Sequence, residues 1–165
     1  MEITKIGEIN MEWKNINMDY YPDIFLQDST FDKIDLCDGE LKLRFNEYGL
    51  MIFDKDKNKL FRTREAQVVF KDVELDGIII EKQVYNNSYG KILKYIPADF
   101  FLKNIKEKRW KCEVANEAYG TGIAMLELVV YEKGNKKWFR AFLQIYNTGY
   151  YFCRNDIDYS YEVVK

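Results

Sequence analysis

The sequence predicts a mainly β (α+β) fold: an antiparallel sheet, sandwich or partly open barrel with one amphipathic helix near 97–109. Three observations carry this. Apolar and polar residues alternate over short runs, the period at which successive side chains take opposite faces of a strand. Turn residues separate those runs, Asp38-Gly39 and Asp76-Gly77 foremost. Aromatic residues are abundant, with 13 Tyr, 11 Phe and 3 Trp, and rings suit the pleated surface of a sheet.

The elements follow in chain order. Residues 1–22 show no firm periodicity and read as an arm or an extra strand of a single domain spanning 1–165. Asp38-Gly39 lies between FDKIDLC and ELKLRF, and an Asp-Gly pair between alternating apolar residues marks a two-residue hairpin. That turn sets Leu36 opposite Leu41 and Ile34 opposite Leu43 on one face, with Asp35 opposite Lys42 on the other. A strand follows over 50–54. Asp76-Gly77 predicts a second hairpin between AQVVFKDVEL and IIIEKQV, although Asp72 would then oppose Glu81, which requires a bulge or a slip.

The helix is predicted from Pro97, placed at the first helical position, and from Asp99 near the positive end of the dipole. Ala98, Phe101, Leu102 and Ile105 fall at i, i+3, i+4 and i+7, so they form its apolar stripe. Strands are then expected over 110–115, 123–131, 138–146 and 150–154, with turns at Gly134-Asn135 and Asn147-Thr148-Gly149.

Chemistry is constrained first by an absence: the chain has no histidine, the commonest general base and metal ligand. Cys37, Cys112 and Cys153 are widely spaced with no C-x-x-C, so they read as reduced structural thiols and no metal site is expected. Asp54-x-Asp56-x-Asn58 with Glu65 matches part of a calcium loop, but Lys59 stands where glycine belongs and Lys55 and Lys57 oppose a cation. A lysine-rich turn is the better reading. Carboxylate pairs such as Asp32 with Asp35 or Asp72 with Asp76 carry no sign of catalytic spacing, and Gly120-Thr121-Gly122 lacks the third glycine of a dinucleotide turn. No cofactor is expected, and binding is favoured over catalysis.

Two features point to binding. In WFRAFLQIY, Phe139, Ala141, Leu143 and Ile145 form a core face, while Trp138, Arg140, Phe142, Gln144 and Tyr146 occupy the other. Aromatics mixed with Arg and Gln are the composition of an interface anchor, against the plainer reading of a second core layer. Charge is also segregated. Residues 1–54 hold twelve Asp+Glu against five Lys+Arg, a balance of −7, so a total of −2 leaves +5 for the rest. Asp28, Asp32, Asp35, Asp38 and Glu40 make the early part acidic, and such a field steers a basic partner unless the fold brings the later lysines beside it.

The stretch IFLQDSTFDKIDLCDGELKLRF resembles the opening of small bacterial β-rich domains, some of which look like immunity proteins of toxin–immunity systems. The resemblance covers about 22 residues, rests on the hairpin pattern and transfers no binding residue. It implies a cytoplasmic immunity or inhibitor-type protein that occludes a toxin or enzyme, a basic nuclease for example. On that reading Asp28, Asp32, Asp35, Asp38 and Glu40 supply charge, and Trp138, Phe142 and Tyr146 supply anchors. The alternative is a β domain binding a small molecule or sugar in an aromatic-lined cavity with carboxylate-assisted chemistry. A homo-dimer closed by the aromatic face is a third. Direct nucleic-acid binding ranks last on overall charge, and no apolar run is long enough for a membrane span.

Overall fold

The computed structural model describes residues 13–18, 23–86, 88 and 90–164. The chain runs β1 (Asn15–Met18), β2 (Ile24–Phe25), β3 (Thr30–Cys37), β4 (Glu40–Phe45), β5 (Met51–Asp54), β6 (Lys59–Arg62), β7 (Ala66–Phe70), β8 (Ile78–Asn86) and β9 (Gly90–Ile96). The helix α1 (Ala98–Lys106) follows, then β10 (Trp110–Gly120), β11 (Ile123–Glu132), β12 (Trp138–Tyr146), β13 (Tyr150–Arg154) and β14 (Asp158–Val163). Ten strands form one antiparallel sheet in the order β1-β13-β7-β4-β3-β10-β11-β12-β8-β9, and a smaller sheet runs β14-β6-β5-β2. The expected mainly β class with one helix is therefore the fold.

The hairpin register is as predicted: Leu36 faces Leu41, Ile34 faces Leu43 and Asp35 faces Lys42. Asp38 and Gly39 have φ of 53° and 77°, the two positive values that a tight hairpin turn matching the strand twist requires. On α1 the burial of Phe101, Leu102 and Ile105 follows the predicted stripe. Pro97 differs slightly. It is the N-cap, with extended ψ of 134°, because its ring imposes only φ and leaves the chain free to enter from β9.

The helix ends in a Schellman motif. Arg109 N–H donates to the Asn104 carbonyl and Lys108 N–H to the Ile105 carbonyl, both at 2.9 Å. Lys108 thus occupies the left-handed position, φ 57°, where glycine is the inexpensive residue and a side chain costs about 1 kcal/mol.

The second expected hairpin is corrected. Strand β7 pairs with β4 and β13, while β8 pairs with β12 and β9, so Asp76-Gly77 lies in a 3₁₀ turn carrying the chain between distant strands. The crossing also removes the Asp72–Glu81 repulsion. Asp72 adopts φ 54° and its carboxylate accepts the Thr148 hydroxyl.

Helix α1 touches β3, β8 and β10. Strands β3 and β8 are four steps apart, roughly 19 Å on a flat sheet and wider than a helix of about 10 Å. The sheet therefore curls around α1 without closing, since β1 and β9 both remain at edges. The inner face holds the core: Leu41, Leu43, Phe45, Val68, Phe70, Leu126, Leu128, Ala141, Leu143 and Ile145, with Phe101 and Ile105 of the helix. The small sheet adds Ile24, Ile52 and Phe61 to the same cluster. The chain reaches it through Gly49, whose left-handed φ of 61° and bridge to Arg64 leave no room for a Cβ, which would overlap the Arg64 carbonyl.

At the other end of the large sheet, Asn15–Met18 pairs with β13, and Trp13 packs with Val69 and Cys153 on the outer surface. The remainder of the 1–22 segment, residues 1–12 and 19–22, lies outside the described residues.

Candidate functional site

Strand β12 matches its predicted bounds, and its two faces separate as the alternation requires. Phe139, Ala141, Leu143 and Ile145 are buried toward α1. On the outer face Trp138 is 60% exposed and Tyr146 48%, while Phe142 and Gln144 are half-buried. The register sets Phe142 between Glu127 of β11 and Glu81 of β8, with Tyr95 of β9 next beyond Glu81. Arg140 reaches diagonally to Glu127, Nη1 to Oε1 at 3.1 Å.

Neighbouring strands extend this face with residues that sequence reasoning did not single out. Met125, Leu93 and Tyr95 are 45%, 49% and 76% exposed. Phe142, Met125 and Leu93 with Glu81 and Glu127 line a shallow depression of about 310 Å³. Trp138 and Tyr146 stand at the two ends of the strand, outside it. The missed signal was GKILKYI. Its alternation puts Leu93 and Tyr95 on one face and Ile92 and Ile96 on the other, but both faces are apolar, so period alone marks neither as outward.

The five acidic residues are strung along β3 and the turns at its two ends, with Glu40 opening β4. Asp28 is in the turn before β3 and Asp38 at the hairpin tip, ten residues away and about 30 Å in extended chain. Asp35 and Glu40 sit on the two arms of the hairpin, and Asp32 is at the bulge between the Phe31 and Lys33 pairings. The charges are partly met within the protein: Lys106 of α1 lies 3.5 Å from Asp35, and Lys42 lies 3.6 Å from Glu40. Glu40 also accepts the Tyr151 hydroxyl at 3.4 Å, and burial followed by this carboxylate pushes the Tyr151 phenol up to about 12. Strands β3 and β12 are three steps apart, roughly 14 Å, so charge and rings form separate patches on one sheet.

A further polar residue emerges from a bulge at Ala115. Beyond it the faces of β10 exchange, so Glu117 pairs with Leu126 on the inner side, where the alternation of 110–115 would have predicted an outward residue. Its carboxylate accepts the Gln27 N–H at 2.6 Å and the Tyr119 hydroxyl at 3.1 Å, while burial raises its pKa above the ordinary glutamate range. Both oxygens are engaged, so Glu117 ties the β2–β3 turn to β10. Arg62 performs a similar task from β6, donating to Ser29 Oγ at 2.9 Å and to the Asp28 carbonyl at 2.8 Å.

The Asp54–Asn58 segment is a hairpin loop in which Asp54 faces Lys59 across the strands. The Asp54 carboxylate accepts Lys57 N–H and the Tyr159 hydroxyl, and Glu65 is occupied by Arg44 at 2.7 Å. Among the described residues, no three His, Cys, Asp or Glu side chains converge as metal ligands. Likewise no described helix is long and apolar enough to cross a membrane. Comparison with protein-family models, curated proteins and solved structures finds no match to this chain.

Proposed function

We propose that this is a protein-binding domain of the immunity or inhibitor type, which docks a partner on the outer face of β11, β12, β8 and β9. One observation carries the reading: exposed Trp138, Tyr146, Met125, Leu93 and Tyr95 surround half-buried Phe142 on a face opposite the helix. Rings and Met interleaved with Glu81 and Glu127, which flank Phe142, and with Arg140 have the mixed make-up of an interface anchor. The acidic hairpin supplies steering, with Asp28, Asp32 and Asp38 free of any ion pair among the described residues. The partner accordingly presents an apolar groove with a basic margin, as on a nuclease or other basic toxin.

Parallel affinity capture from the native cells tests this, using the wild type, Phe142→Glu with Met125→Glu, and Asp35→Asn with Asp38→Asn. The reading expects one stoichiometric protein that the face variant loses and the hairpin variant captures more slowly at low salt. Equal capture by the face variant would refute the assignment. The depression beside Phe142, flanked by Glu81 and Glu127, favours a second reading as a sugar-binding surface. A rise in melting temperature with a soluble oligosaccharide is its test.

A further inference from the structure

We propose that a basic cleft beside the Trp138 end of the β12 face binds the phosphate groups of a nucleotide, either free or within a single nucleic-acid strand. The cleft, about 570 Å³, lies where the approach to β10, the end of β11 and the following turn meet. The Lys133 N–H donates to the Arg109 carbonyl at 2.8 Å, which fastens that turn to the segment leaving α1. Lys108, Lys111, Lys133 and Lys136 line the space with Trp110, whose ring packs inward on Phe100, Phe101 and Phe139, and with Tyr131 on the opposite face of the β10–β11 pair.

None of these four lysines forms an ion pair among the described residues. Arg109 also lines the cleft but is held by Glu107 at 2.9 Å. Two carboxylates also line the cleft, Glu132, which accepts the Asn135 amide at 2.8 Å, and Asp32, half-buried at the β3 bulge, so the four lysines against these two leave a balance of +2. Excess positive charge converging on a concavity raises the local concentration of an anion even on a protein whose net charge is −2.

The helix dipole favours cations only in the last turn of α1 and so does not explain Lys111, Lys133 or Lys136. A second observation is independent of charge. Lys108 and Lys136 have φ of 57° and 55°, a conformation in which glycine is less strained, and both line this cleft. Lysine is the residue of point-charge phosphate contacts, and Tyr131, with the Lys111 ammonium 5.9 Å from its ring centre, offers one aromatic ring for a base or sugar. That ring favours a nucleotide over a carboxylate-rich peptide.

The left-handed positions supply a variant that cannot fail for want of folding, because Lys108→Gly with Lys136→Gly relieves strain as it removes charge. Fluorescence anisotropy is measured with a labelled oligothymidine of about twelve nucleotides and, separately, with labelled ATP, each at about 50 and about 200 mM salt. The wild type is expected to bind at least one probe and to lose about tenfold or more in affinity across that salt range. The double glycine variant should melt at or above the wild-type temperature, bind at least fivefold more weakly and show a salt slope shallower by about 1.4, two contacts at about 0.7 each. Binding of the oligonucleotide alone identifies a strand as the ligand, and binding of ATP identifies a nucleotide. Absence of binding to both probes overturns the proposal. So does an unchanged affinity in the glycine variant, or equal competition by polyglutamate at matched charge.

Discussion

Replacing Gly49 with alanine is expected to destabilise the protein by about 3–5 kcal/mol, a large share of the roughly 5–15 kcal/mol that holds a domain together. Gly49 is buried where the chain leaves the large sheet for the small one, at φ 61° and bridged to Arg64. A side chain in that conformation costs about 1–2 kcal/mol by itself. The added Cβ also meets the Arg64 carbonyl and the Thr63 hydroxyl, so the two segments must part. Parting them strains the bonds from Leu50 N–H to Thr63 Oγ1 and from Thr63 N–H to the Leu50 carbonyl, both 3.0 Å. A buried donor left without its partner adds about 1–3 kcal/mol. At about 2–4 °C per kcal/mol for a chain of this size, the melting temperature should fall by roughly 10 °C. Gly134→Ala is the control, because φ there is 89° but a Cβ meets nothing within 4 Å. It should lose only the backbone term, about 1 kcal/mol and a few degrees. Thermal and urea denaturation followed by circular dichroism compare the two, and equal losses would refute the steric argument.

Other perturbations follow the same reasoning. Burial raises the Glu117 pKa in the folded state, so the native protein holds this proton more tightly than the unfolded chain. Its contribution to stability is greatest below the ordinary glutamate range and is lost as pH rises through the folded pKa. Glu117→Gln keeps an acceptor for Gln27 N–H, so the variant should lack that slope and melt higher than wild type at neutral pH, read from melting temperature across pH 4–8. Thiol titration in the native protein should find Cys37 alone reactive, because Cys112 and Cys153 are buried and burial pushes the Cys112 thiol up; denaturant should release all three. Asp35→Asn removes an exposed pair with Lys106 and should change stability by less than about 0.5 kcal/mol in a urea titration.

Where local chemistry determines a structure, the sequence was readable. Asp38-Gly39 provides the two positive φ values of a tight turn, and from that turn every pairing of Ile34, Asp35 and Leu36 follows. The stripe Phe101, Leu102 and Ile105 likewise marks its own buried face. Asp76-Gly77 misled because a dipeptide does not reveal which strands compete for its flanks: β7 and β8 each found two other partners. The like-charged Asp72 and Glu81 were the available warning. The bulge at Ala115 was invisible for a related reason, since one extra residue reverses the faces of everything beyond it and brings Glu117 inward. As for the candidate site, the alternation of β12 placed Trp138, Phe142 and Tyr146 on one face. The contribution of Leu93, Tyr95 and Met125 depends on the order β11-β12-β8-β9, which is set by long-range pairing.

The most direct test of the docking face is photo-cross-linking in the native cells with benzoylphenylalanine in place of Met125, which is exposed beside Phe142, and in place of Tyr48, which is exposed on the chain leading to the small sheet. The account predicts one discrete protein adduct from position 125 and none from position 48. Adducts from neither position, or the same adducts from both, would contradict it.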